Sequence, residues 1–189
     1  MEQAEVKAWR KSERERLIAL RMSLPLVERR AAGERIAASI ADIVAGRPGV
    51  LGVYWPFRAE FDPRPLIDKV TAGGRGVALP VVIDKKGPLE YRAWAPGEAL
   101  VAGVWDIPVP EKRKIVVPAM VLAPLVGFDR DCYRLGYGGG YFDRTLASLS
   151  PRPLAIGVGF AAQEIATIYP QPFDIAMDVI VTETGVRRR

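Results

Sequence analysis

No histidine occurs anywhere in the 189-residue sequence, and Cys132 is its only cysteine. Without imidazole there can be no Ser-His-Asp or Cys-His hydrolase, no His-ligated metal and no imidazole proton shuttle. A lone thiol allows neither an intramolecular disulfide nor a structural zinc site, and it points to a reducing cytosol. Long apolar runs are missing too: no stretch approaches the roughly 20 residues that span a bilayer, and the amino terminus is charged from Glu2 onward, unlike a secretory signal. A cytoplasmic protein without membrane attachment is expected. Its chemistry must come from carboxylates, Lys, Arg, Tyr, backbone amides or a carboxylate-bound metal.

What is present suits one globular domain over residues 1–189, since 49% of the residues are hydrophobic and 26% charged. The 27 Lys and Arg against 22 Asp and Glu give a net charge of +5, which favours anions and leaves nucleotides, nucleic acid and small polyanions open. The basic end Arg187-Arg188-Arg189 contributes to that excess and is expected to be a solvated terminus. Oligomeric state is not encoded legibly; a monomer or weak dimer is expected.

The first 46 residues read as two helices. Trp9, Leu17 and Leu20 share one face of the first while Arg10, Lys11 and Arg14 occupy another, and Ile36, Ile40, Ile43 and Val44 carry the period through the second, after a break at Ser23 and Pro25. Short β-branched runs then alternate with turns and helices: strand candidates at 50–55, 76–80, 115–122, 154–160 and 179–181, and a helix from about Arg64 to Ala72. Pro118 argues for a split or bulge in the third of these strands. The alternation implies an α/β fold, a three-layer α/β/α arrangement with a mainly parallel or mixed central sheet and an N-terminal helical hairpin. Ligands of such sheets bind outside the carboxyl ends of the strands.

The run Arg134-Leu135-Gly136-Tyr137-Gly138-Gly139-Gly140-Tyr141-Phe142-Asp143 holds the densest chemistry. Glycines let several backbone N–H groups converge on one anion. The run is neither a Walker A loop, lacking Gly-Lys-Ser/Thr, nor a Rossmann fingerprint, and a plain flexible turn is the alternative. Arg134 can fork onto phosphate oxygens, Asp143 can hold Mg2+ against them, and Tyr137 and Tyr141 can donate hydroxyls or stack on a ring.

That run, with Phe128-Asp129 before it, resembles the signature of the 5-formyltetrahydrofolate cyclo-ligases, also called methenyltetrahydrofolate synthetases. The resemblance extends to the Arg10/Arg14 pair, Glu60, Trp105-Asp106-Ile107-Pro108 with Pro110, and Asp174 and Asp178 followed by Thr182-Glu183. It implies ATP phosphates between Arg10, Lys11 and Arg14 on one side and residues 134–142 on the other, with Arg134, Tyr141 and Asp143 at the chemistry. It implies Mg2+ on Asp143 and Asp174, with Asp178 a nearby alternative, and a reduced formylated folate at Glu60 between Trp55, Trp105, Tyr137 and Tyr141. Cys132, Phe173 and Arg10 depart from the usual pattern, which has Gly, His or Asn, and Lys at these places. The activity implied is ATP- and Mg2+-dependent conversion of 5-formyltetrahydrofolate to 5,10-methenyltetrahydrofolate. Two other readings stay open on the residues alone: an ATP-dependent kinase or ligase for another small acid, and a nucleotide- or RNA-binding protein, although no RNA-recognition aromatic motif is present and nucleic acid is not the expected partner.

Overall fold

The computed structural model describes residues 2–189. Two helices open the chain, α1 (Gln3–Ser23) and α2 (Leu26–Val44), broken at Leu24-Pro25 because a residue before proline is pushed into extended backbone. The core is a seven-stranded sheet in the order β11-β10-β9-β6-β1-β2-β3. Its strands are β1 (Leu51–Gly52), β2 (Val77–Val82), β3 (Leu89–Trp94), β6 (Met120–Pro124), β9 (Leu154–Val158), β10 (Val179–Thr182) and β11 (Gly185–Arg188). The inner five run parallel and the edge strands β3 and β11 run antiparallel. Two small ribbons stand apart, β4 (Leu100–Ala102) with β5 (Pro108–Pro110), and β7 (Gly127–Phe128) with β8 (Arg134–Leu135).

Side chains alternate across the sheet as a strand period of two requires. On one face Leu51, Leu79, Leu122, Ile156 and Val181 meet α2 and α3 (Arg64–Ala72). On the other Ala78, Val121, Ala155 and Ile180 meet Leu146 of α4 (Tyr141–Ser148) together with Phe128 and Cys132. Helices thus cover both faces of a mixed, mainly parallel sheet. The two opening helices are present, yet they bury themselves in different cores: α2 lies on the sheet face, while α1 crosses beyond the carboxyl end of β6, where Leu17 joins Val126, Leu135 and Ile168. No helix among the described residues is long and apolar enough to cross a membrane.

Several expectations need correction. The first strand is two residues rather than six: Val53 still donates to the Ala78 carbonyl at 2.9 Å, after which the chain leaves the ladder toward the turn at Arg58-Ala59. The apolar run 115–122 is split at Pro118: Ile115 bridges antiparallel to Arg92 on the outer edge of β3, with Val116 donating to the Tyr91 carbonyl at 3.0 Å, and only from Met120 does the chain form the central strand β6. The terminal arginines are not a loose end. Residues 185–188 form the edge strand β11, Arg187 pairs with Glu164 at 2.9 Å, and Arg189 lies 5.7 Å from the Tyr133 ring.

The strand order reverses between β1 and β6. From β1 the chain moves through α3 to β2 on one side, and from β6 through α4 to β9 on the other. Loops leaving the carboxyl ends of these two strands must diverge, and the gap between them is where a doubly wound sheet receives its ligand.

Candidate active site

A cleft of about 440 Å3 opens at that gap. It is bounded by the segment after β1 (Tyr54, Trp55, Phe57, Glu60), the ends of β2 and β6, the glycine run, and the arginine face of α1. A volume of this size suits small-molecule ligands.

The glycine run forms the loop from β8 to α4, and arginine side chains occupy the space its side chains would need. A Cβ on Gly136 would lie 2.6 Å from Nη1 of Arg134, so a side chain here would displace this guanidinium from its place against the loop. Gly138 has φ +97°, and a Cβ there would meet Cζ of Arg14 at 3.4 Å. Gly140, at φ +65°, starts α4 without any side-chain cap, which leaves the first-turn N–H groups of the helix free for an anion. Arg144 lies over the Tyr141 ring at 5.0 Å and is fixed by donating from Nε to the Gly87 carbonyl at 3.0 Å.

Arg10 and Arg14 face inward rather than on a solvent surface. The stripe Val6, Arg10, Arg14, Leu17, Arg21 repeats at helical spacing and is the side of α1 turned to the protein, with Arg10 and Arg21 buried and Arg14 half-buried. Arg10 donates from Nε to the Ile168 carbonyl at 2.9 Å, from Nη2 to that of Tyr169 at 3.2 Å, and pairs with Asp174. Arg14 gives its Nε to the Gly136 carbonyl at 2.7 Å and has no carboxylate partner among the described residues. Burial first, then repulsion from Arg10, lowers the Arg14 pKa from its usual value, with Asp174 opposing. An anion placed here would be welcomed. Lys11 is exposed and does not line the cleft.

Arg134 is buried and pairs with Asp143 at 3.0 Å, its guanidinium lying 5.0 Å from the Phe142 ring, and its Nε is a buried donor without a partner. Asp143 accepts from Arg134 on Oδ2 and from the Ile175 N–H, at 3.1 Å, on Oδ1, so the structure brings it beside Asp174. Among the described residues no cluster of three or more acidic, His or Cys side chains could cage a metal. Each oxygen of Asp143 uses only one of its lone pairs, and Asp174, whose Oδ2 accepts from Arg10 and from the Gln171 N–H at 2.7 Å, keeps capacity on Oδ1, so the pair has lone pairs for a hard cation that takes the rest of its shell from phosphate oxygens and water. Asp178 is elsewhere, accepting from the Ala155 N–H at 2.8 Å and from Arg152 at 2.9 Å.

Across the cleft Glu60 is buried, accepting from the Phe57 N–H at 2.9 Å and from the Tyr137 hydroxyl at 3.0 Å. Burial pushes its pKa up to about 7, against the opposing effects of Arg21, the Phe57 amide and Tyr137. Trp55 lies edge-on to Trp94 at 6.0 Å, and Trp105, in left-handed backbone at φ 57° and largely exposed, stands over Tyr141 at 6.1 Å. Reasoning from sequence gave no role to Arg21 or Arg144, and quoted Asp129 in the signature without assigning it one. The i, i+4, i+11 recurrence of arginine from Arg10 was the available signal for the first. Asp129 is buried, takes the N–H groups of Asp131 and Tyr133 on one oxygen and that of Ile168 on the other, and so ties the β7–β8 ribbon to the segment that receives Arg10.

Known proteins resemble the chain in sequence and in fold. A family model described as the 5-formyltetrahydrofolate cyclo-ligase family matches residues 6–183. The chain is 30% identical over 143 residues to the 5-formyltetrahydrofolate cyclo-ligase of Escherichia coli K12, covering 72% of this chain and 79% of the relative. It is 29% identical over 175 residues to that of Mycolicibacterium smegmatis, covering 88% and 89%. The solution structure of Aquifex aeolicus 5,10-methenyltetrahydrofolate synthetase superposes with a TM-score of 0.80 at 27% identity, over 95% of this chain and 92% of that one. A Mycoplasma pneumoniae 5,10-methenyltetrahydrofolate synthetase shares the fold, with a TM-score of 0.76 at 21% identity, over 92% and 98% of the two chains.

Proposed function

The chain belongs to the 5-formyltetrahydrofolate cyclo-ligase family, and from that premise we propose that it converts 5-formyltetrahydrofolate and ATP, with Mg2+, into 5,10-methenyltetrahydrofolate, ADP and phosphate. The observation that carries this reading is one cleft with two unlike walls: a glycine loop threaded by arginines, and a buried carboxylate among aromatic rings. The reaction needs both. A formamide oxygen is a poor leaving group, and γ-phosphoryl transfer to it makes a good one. N10 of the folate then attacks the formyl carbon, and ring closure expels phosphate and the N10 proton.

The protein's part is to position and to neutralise. Arg14, whose guanidinium has no acid partner, reaches the nucleotide phosphates, while the N–H groups of the loop and of the first turn of α4 hold oxygens that Arg134 and Arg144 face from below. Four guanidiniums, from Arg10, Arg14, Arg134 and Arg144, against the two carboxylates Asp143 and Asp174 leave a local excess of two positive charges that supports a polyphosphate. Asp143 and Asp174 would hold Mg2+, which when bound supplies charge neutralisation between phosphate oxygens. Glu60 accepts N–H donors of the pterin, and Trp55, Trp105, Tyr137 and Tyr141 supply faces for its rings. These arginines are buried or half-buried, which supports a small anion over nucleic acid. The same reading places the enzyme in the cytoplasm, as a monomer or weak dimer.

The test is incubation of the purified protein with 5-formyltetrahydrofolate and Mg-ATP, following the absorbance of the methenyl product and the release of ADP. Both should rise together. ADP release without methenyl product would refute the folate assignment.

A further inference from the structure

Arg21 is 1% exposed, and no carboxylate lies within ion-pair distance of it among the described residues. A buried guanidinium without an acid is costly unless each donor is used. Each of its three nitrogens donates one hydrogen bond, and the three go to different segments around the cleft. Nη1 donates to the Leu125 carbonyl, just past the end of β6, at 2.9 Å, and Nε donates to the Arg58 carbonyl at 3.0 Å. Nη2 donates to the Tyr137 hydroxyl in the glycine run.

The Arg58 contact matters because Arg58 and Ala59 both stand in left-handed backbone, at φ 46° and 60°. Two consecutive non-glycine residues there persist only where the surroundings hold them. The turn they form carries Glu60, whose N–H and side chain both return to Phe57. The Tyr137 contact matters because a guanidinium can only donate. The hydroxyl must therefore accept from Arg21, and its single proton is directed to Glu60.

We infer that Arg21 is a positioning residue for the folate side of the cleft: it holds the strained turn beneath Glu60 and, through Tyr137, fixes which way that carboxylate presents its free lone pairs. This rests on the folate reading for its consequence, though not for its geometry. Glu60 faces Arg21 from α1, Tyr137 from the glycine run, Tyr54 after β1, and the Phe57 amide in its own loop. Arg21 is the single cation in that set. Removing it raises the Glu60 pKa above about 7, so that at neutral pH more of the carboxyl is protonated and loses its capacity to accept pterin N–H groups.

The test uses Arg21→Met and Tyr137→Phe in the full-length protein, with glutamate labelled at the side-chain carboxyl carbon and Glu60 assigned by comparison with Glu60→Gln. In ligand-free protein both substitutions should move the Glu60 titration to higher pH, and in turnover they should move the acidic limb of kcat/KM for folate the same way. Loss of a charge-assisted hydrogen bond predicts a rise of about tenfold or more in the folate KM at pH 7, recovered as pH rises, with the KM for ATP changed less than about twofold. A merely structural Arg21 would lower the melting temperature and leave the Glu60 carbon where it was, which would overturn the inference. Should Arg21→Met fail to fold, Tyr137→Phe interrupts the relay at a partly exposed residue, and an unmoved titration there is equally fatal. Failure of the folate reading would show instead in the unmodified protein, as absence of methenyl product while the Glu60 carbon still shifts between variants.

Discussion

Asp143→Asn separates two roles that coincide in one side chain. Asp143 accepts from Arg134 at 3.0 Å and from the Ile175 amide at 3.1 Å, and the paired side chains are 16% and 5% exposed. An asparagine can satisfy one of these donors with its oxygen, but its amide then faces the other, so Arg134 becomes a buried cation without an anion. Breaking a fully buried pair costs about 3–5 kcal/mol. The cleft gives Arg134 some access to water, so a loss of about 2–3 kcal/mol is expected, or roughly 5–10 °C in melting temperature for a chain of this length. Turnover should fall by about a hundredfold or more, with partial recovery at high Mg2+, because a neutral amide is a poor ligand for a hard cation. The double variant Arg134→Gln, Asp143→Asn distinguishes the two effects: with the cation gone, stability should return by about 1–2 kcal/mol while turnover stays low. Thermal melts and a Mg2+ titration of initial rates are the assays. An unchanged melting temperature in Asp143→Asn would refute the buried pair, and normal turnover at low Mg2+ would refute the metal role.

Gly138→Ala places a Cβ at φ +97° and 3.4 Å from Arg14, so a loss of about 1–2 kcal/mol in stability should accompany a weaker nucleotide affinity, measured by calorimetric titration with ATP; unchanged affinity in the folded variant would remove the loop from the phosphate site. The Glu60 carboxyl, raised from 4.5 to about 7, binds its proton more tightly in the folded than in the unfolded chain, so its contribution to stability is fully present below pH 4.5 and is lost as pH rises through about 7. Ligand-free protein should therefore melt lower at pH 8 than at pH 6, and the difference should shrink in Glu60→Gln; equal pH dependence in both would exclude Glu60 as its source.

Local pattern made much of the architecture legible. The α3 bounds and the parallel strands β2, β9 and β10 follow from periodicity and turn placement, whereas the start of α4 at Tyr141, directly on the glycine run, was not read from the sequence. Strand β3 was missed although Leu89, Tyr91 and Ala93 alternate with Glu90, Arg92 and Trp94, because its lysine-rich approach reads as loop. The glycine run was recognisable from its own residues, but what threads it was not. Whether Arg10 or Arg21 lies on a wet or a buried face of α1 is decided by carbonyls of Ile168, Arg58 and Leu125, at sequence distances that helical periodicity does not sample. Periodicity put Arg10 and Arg14 on a face apart from Leu17, and the hydrogen bonds that turn the arginine stripe inward are tertiary.

The docking of α1 sets an order of assembly during synthesis. The partners of Arg21, Arg14 and Arg10 lie up to 116, 122 and 164 residues further along the chain. At typical translation rates the first helix waits on the order of ten seconds or more before Asp174 has even been made. Strands β1 and β2, with α2 and α3, can begin to pack in that interval, but the arginine-lined side of the cleft is incomplete until the segment carrying Ile168 and Asp174 arrives. A nascent chain that stalls before that point is left with a glycine loop and no anchor for Arg10.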